Sequence, residues 1–156
     1  RPPGAEARGG KGETTMYQRK MLGLDDANRI VDAIMAHTKK EQGLPISVAV
    51  VDYRGDLIRF SRMDGASWNP MRMAQAKAYS AVKFRRDTTA VGPWMAQLKI
   101  GLSDWADPNV TSLGGGVCIW DEEATPRVVI GAVAVSGWPD PEVDAEYSRI
   151  GIAALK

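Results

Sequence analysis

Cysteine and histidine are nearly missing from this chain: Cys118 and His37 are single examples in 156 residues. One cysteine excludes an intrachain disulfide and a cysteine-based metal cluster. One histidine excludes a two-histidine metal centre, so no zinc or other metal site is expected. No run approaches the roughly 18 apolar residues of a membrane-spanning helix, and no membrane partner is expected. Charge of one sign is lacking too, because 20 Lys and Arg face 19 Asp and Glu for a net charge of +1. Such a chain has no global field to recruit nucleic acid or an anionic membrane. The basic pairs Lys39-Lys40 and Arg85-Arg86 read as solvated faces. A Walker motif and a dinucleotide fingerprint are absent, which disfavours nucleotide-driven chemistry. The N-terminal RPPGAEARGGKGETT has no apolar stretch. Residues 1–15 therefore read as a flexible N-terminal segment or a cloning remnant, with 16–156 as a single domain and Met16 a candidate native start. Lack of disulfides fits the cytoplasm, with export left open if a signal was removed before residue 1.

The chain is organised around SVAVVDYRGDLIRFSRMDG, residues 47–65. Small and β-branched residues from Val48 to Val51 suit a buried strand. Asp52 closes that run, and Tyr53-Arg54-Gly55-Asp56 supplies a tight turn before a second strand over Leu57 to Met63. Strict alternation puts Leu57, Arg59, Ser61 and Met63 on one face and Ile58, Phe60 and Arg62 on the other. Upstream, Ala27, Ile30, Val31, Ile34, Met35 and Thr38 define a helical stripe, with Asp25 as the expected N-cap and Gly43 beyond the end. A second helix is expected from about Met71 to Phe84. Its Ala74, Ala76, Ala78 and Ala81 suggest close approach to a sheet or another helix. Thr88-Thr89 is expected to cap a short helix over Val91 to Leu98. The apolar set Trp94, Met95, Leu98, Ile100, Leu102 and Trp105 reads as a core cover or a subunit contact. Strands follow at Val117–Trp120 and Arg127–Val135, then a helix over about Pro141 to Leu155. A further strand is sought near residues 16–22 or 57–63. Antiparallel strands grouped between helices indicate an α+β fold.

Lys77 stands on the alanine side of the second helix, so its surroundings are not plainly solvent. It offers an anion anchor, a general base or an imine-forming amine if burial lowers its pKa. Asp52 is its expected partner, with Arg62 and Asp64 nearby. The other reading of these charges is a structural network fixing hairpin to helix. Gly114, Gly115 and Gly116 could present N–H donors to a carboxylate, phosphate or oxyanion, or form a plain strand-entry turn. His37 flanks the stripe of the first helix, where a part-exposed position is the simpler reading. A haem iron ligand is the alternative, with Met63, Tyr53 or Tyr79 as substitutes. Cys118 reads as a buried, inert thiol.

Five segments in order carry a family resemblance: LDDANRIVDA, SVAVVDYRGDLIRFSRMDGA, AQAKAYSAVKF with Thr88 following, GGGVCIW, and VVIGAVAVSG with Asp144 beyond it. Together they resemble the GlcG/HbpS family of haem-degrading or haem-binding-like domains. A related domain ends some corrinoid adenosyltransferases of propanediol utilisation. The resemblance implies a profilin-like fold with a five-stranded antiparallel sheet, helices packed on its faces, and a homo-oligomer. It departs at Trp138, where the family often has a second glycine, and at Trp68, which the family's loop usually lacks. Both tryptophans are therefore candidate ligand contacts beside Arg62, Asp64 and Gly114–Gly116. The implied function is binding of haem or another planar or anionic small molecule in a pocket near the glycine turn. The alternative is a cofactor-independent isomerase, lyase or hydrolase of catabolism, acting on a small organic acid or aromatic product with Lys77 and Asp52 as catalytic groups.

Overall fold

All six residues of β1 (Ser47–Asp52) are buried, because helices cover both faces of the sheet and a strand pairs on each side. It pairs antiparallel with β2 (Leu57–Arg62) and with β4 (Val128–Ser136), and β4 pairs antiparallel with β3 (Gly116–Asp121). The resulting order is β2-β1-β4-β3. The computed structural model describes residues 16–156; the segment 1–15 lies outside the described residues.

The helices α1 (Leu24–Lys40) and α4 (Pro141–Ala153) cover one face of the sheet, and α2 (Trp68–Phe84) covers the other. Alternation along the two central strands sorts the side chains accordingly. Val48, Val50, Val133 and Val135 meet Ile30, Val31 and Ile34 of α1 and Tyr147 of α4. Ala49, Ala132 and Ala134 meet Ala74, Ala78 and Ala81 of α2. Small residue faces small residue across that second interface, so α2 lies close to the sheet, as its alanines predict.

The architecture is α+β, and the sheet among the described residues has four strands, not five. The expected extra strand is not found among the described residues: residues 57–62 are β2 itself, and residues 16–23 run beside the sheet without pairing into it. Their attachment runs through side chains: Arg19 Nη2 donates to the Val129 carbonyl at 2.7 Å, and Leu22 is buried in the first core. The expected faces of β2 also change. Val50 opposes Arg59 but Val51 opposes Leu57, so Ile58 is an extra residue that breaks the alternation. Ile58 packs toward α1 and α4, and Phe60 packs toward α2.

At the start of α1 the N-cap is Gly23, not Asp25. Asp26, three residues in, accepts the Gly23 N–H at 3.0 Å. The second helix begins at Trp68, and Pro70 is tolerated because a first-turn N–H has no intrahelical partner. Helix α3 (Val91–Leu98) follows a 3₁₀ turn over Thr88–Ala90. Around it Phe84, Val91 and Met95 gather Trp94, Ile100, Leu102, Trp105 and Val110 into a small third core. Trp94 and Trp105 stack with ring centroids 5.6 Å apart, whereas Leu98 of the same apolar set stays half exposed. No helix among the described residues is long and apolar enough to cross a membrane.

Candidate functional site

Helical spacing puts Lys77 on the inner side of α2 with Ala74, Ala78 and Ala81, and the sheet then closes over it. Only 4% of the residue remains exposed. An ammonium there is costly unless each proton finds an acceptor. Three acceptors are in reach: Asp144 Oδ2 at 2.8 Å, the Val135 carbonyl at 3.3 Å and Ser136 Oγ at 3.4 Å. Asp144 comes from the first turn of α4, which Asp140 caps by accepting the Glu142 N–H. Its second oxygen accepts the Trp138 N–H at 3.1 Å. Burial pushes the Asp144 carboxyl above the usual range, opposed by the Lys77 hydrogen bond and charge and by the Trp138 and Gly137 N–H groups.

The glycine turn is packed into the same cluster. A Cβ on Gly115 would lie 2.9 Å from Lys77 Nζ and 2.7 Å from the Val135 carbonyl, and Gly115 also has a φ of +126°. Space and backbone conformation both require glycine here. A Cβ on Gly116 would strike the Lys77 carbonyl, which lets α2 approach β3. Thr88 does not cap α3; its hydroxyl accepts the Gly116 N–H at 2.9 Å. Ser148 Oγ donates to the Gly115 carbonyl at 2.7 Å and accepts the Val135 N–H at 3.0 Å. Ser47 Oγ, paired in register with Ser136, is buried and has no hydrogen-bond partner among the described residues.

Lys77 and Gly114–Gly116 thus come together, but Asp52 does not join them. Ser47 pairs with Ser136 at one end of β1, and Asp52 pairs with Gly131 at the other. At ~3.3 Å per residue the two ends are about 16 Å apart. Asp52 holds the hairpin turn instead, accepting the Arg54 N–H at 2.8 Å and the Asp56 N–H at 3.1 Å. Arg62, Asp64 and Trp68 are exposed where β2 leads into α2. Trp138 is half-buried against Tyr147, whose ring also meets His37 edge-on at 4.8 Å. Sequence reasoning named Asp144 only within the family resemblance, and Thr88 there and as a helix cap, and gave neither of them, nor Ser148, a place in the site. The available signal was a carboxylate at the polar flank of the last helix, one residue after Val143.

Among the described residues at least three grooves have the size of small-molecule sites, the smallest of them, about 490 Å³, lying between residues 20–26, β3 and residues 152–156. The first, about 720 Å³, lies between α2, the β1–β2 turn and residues 108–111. Met71, Met73, Tyr79, Leu57 and Val110 wall it, with Arg72 as its cation. Tyr79 donates to Asp107 Oδ2 at 2.7 Å, which holds its phenol above the ordinary value. The second groove, about 660 Å³, lies between the end of α2, β3 and α4. Neither is lined by Lys77, Asp144 or Gly114–Gly116. Cys118 lines the second groove but is buried; its thiol, 3.1 Å from the Ala81 carbonyl, is pushed up to about 12 by desolvation and by nearby Asp87. Among the described residues no three His, Cys, Asp or Glu side chains gather as a metal site.

Comparison with known proteins places these features in context. The family described as haem-degrading protein HbpS-like matches residues 22–153. A double mutant of HbpS from Streptomyces reticuli is similar in structure, with 27% identity, 99% of each chain covered and a TM-score of 0.80. Another HbpS structure shares 28% identity over 97% of this chain and 99% of its own, with a TM-score of 0.78. The PduOC–haem complex shares 25% identity over 86% of this chain and 95% of its own, with a TM-score of 0.75. A comparison with curated protein sequences found no match.

Proposed function

The chain belongs to the HbpS-like family of haem-degrading proteins, and on that premise we propose that it binds haem or another planar, anionic small molecule. The observation that carries this reading is the groove of about 720 Å³ beside α2. Its methionine, leucine, valine and tyrosine walls suit a flat apolar ring, and Arg72 suits a carboxylate on its edge. Lys77 and Asp144 pack against Gly115 of the glycine turn, which favours the groove over the turn as the ligand's place. The PduOC structure with haem supports the ligand class.

Haem fits the donor set of this groove through the thioethers of Met71 and Met73, which are recognised iron-ligand types. Tyr79 fits less well, because its hydroxyl is committed to Asp107 and its raised pKa disfavours the phenolate. His37 does not line this groove and packs on Tyr147. The alternative, an enzyme using Lys77 and Asp52 together, requires groups that stand at opposite ends of β1. Homo-oligomerisation belongs to the same proposal and is read by light scattering as a mass above the monomer's.

Haem titration tests the site. A saturable Soret shift is expected in the wild type and in His37→Ala. The shift changes in Met71→Ala with Met73→Ala, and affinity falls in Arg72→Gln. Unsaturable binding overturns the reading, and a spectrum altered only by His37→Ala moves the ligand to the end of α1.

A further inference from the structure

The second groove concentrates charge that is dispersed along the sequence. Arg85, Arg86, Arg127, Arg149 and Lys156 line it, with Asp87 as its single acidic side chain. Across the chain 20 cations meet 19 anions, so an even distribution would nearly balance them in any one groove. Here the side chains stand five to one.

The cations come from separate elements and several are held in place. Arg85 and Arg86 follow α2, whose last turn ends with Arg85 in the left-handed conformation at φ +51°. The Arg86 guanidinium lies over the Trp94 ring at 4.0 Å, and its Nε donates to the Phe84 carbonyl at 3.3 Å. Arg127, just before β4, lies over the Trp120 ring at 4.2 Å. Arg149 projects from α4. Stacking orients a guanidinium without neutralising it.

Local carboxylates offset little of this charge. Asp87 Oδ1 is occupied by the Cys118 N–H at 3.0 Å, and its other oxygen stands 3.9 Å from Arg149. Glu122 reaches Arg127 at 3.4 Å, with both side chains more than half exposed; such surface pairs are weak and exchange readily. Arg85 and Lys156 have no ion-pair partner among the described residues.

We propose that this groove is a second binding site, separate from the haem-type groove, for a small anion bearing two or more phosphate or carboxylate groups. Guanidinium forks match both oxyanions in pairs. The groove's volume of about 660 Å³ suits a compact molecule, and the net charge of +1 disfavours a long polyanion.

Calorimetry with inorganic pyrophosphate and with citrate tests the site and separates the two oxyanion sources. Saturable 1:1 binding is expected for at least one of them. Arg127→Gln combined with Arg149→Gln weakens it by about tenfold or more, since each loses charge-assisted hydrogen bonds. The exposed positions keep the melting curve near the wild type's. Haem saturation leaves the anion affinity within about twofold, as expected for separate sites, so failure of one site does not remove the other. Absence of saturable binding, or equal binding by wild type and double variant, overturns the proposal. Tighter, length-dependent binding of a single-stranded oligonucleotide than of either small anion also overturns it.

Discussion

At the residue scale, Lys77 shows how burial and pairing set a role. Its three protons are used by Asp144, Val135 and Ser136, so it stabilises the junction of α2, β4 and α4. Replacing it with methionine removes one partner of a buried pair and costs about 3–5 kcal/mol. Adding Asp144→Leu recovers part of that loss in thermal unfolding, because no charge is then left unpaired. The sign of the pH dependence follows from Asp144, whose folded pKa is already raised by burial. In Lys77→Met the deficit is small at acid pH, where the carboxyl is protonated folded and unfolded. It grows as pH rises from the unfolded value through the raised folded one. A deficit independent of pH would contradict an unpaired Asp144.

A second residue-scale case is Asp107, which accepts from Lys83 Nζ and Tyr79 OH, each at 2.7 Å. These contacts and the Asn109 N–H lower its pKa from 3.8 to about 2. A lowered carboxylate contributes stability above its unfolded pKa and loses it as pH falls from about 4 toward about 2. Lys83 and Tyr79 are both raised by the same contact, so their contribution is full below their unfolded values and lost as alkali removes their protons. Urea unfolding at stepped pH should show a flatter acid limb in Asp107→Asn than in the wild type. Phenol absorbance should show Tyr79 ionising earlier in that variant.

At the scale of elements, the alanine face of α2 determines how near the helix lies to the sheet. Ala78 is fully buried against β1 and β4. Ala78→Leu is expected to cost about 1–3 kcal/mol by overpacking, whereas Gln75→Ala on the exposed side stays within about 0.5 kcal/mol. Equal melting temperatures for the two variants would mean that the interface is looser than described. The alanine face and the helical stripe of α1 were legible because both depend on spacing within a single helix. The face assignment of β2 was not, because one extra residue opposite Val50 and Val51 shifts the pattern and leaves no mark in the apolar sequence.

At the scale of the whole molecule, the sheet separates two kinds of interior. Branched side chains of α1 and α4 fill one side, and small side chains allow α2 to lie close on the other. That close approach packs Lys77 and Thr88 against the glycine turn, and two candidate grooves lie at the borders of α2. One border gathers methionines and a tyrosine, the other gathers cations. The near-neutral composition conceals the second border entirely, since composition sums charge without regard to position.

The order of helices and strands, the central hairpin, the alanine face and the family were determined by the sequence, because each rests on local spacing or on short segments in a given order. Tertiary structure alone decided which carboxylate meets Lys77. Asp144 lies 67 positions away, and nothing local to α2 distinguishes it from Asp52. It also decided that Gly115 and Gly116 make room for a helix, and that five dispersed cations share a groove. These outcomes depend on distances between elements, which are set only when the sheet and its helices pack together.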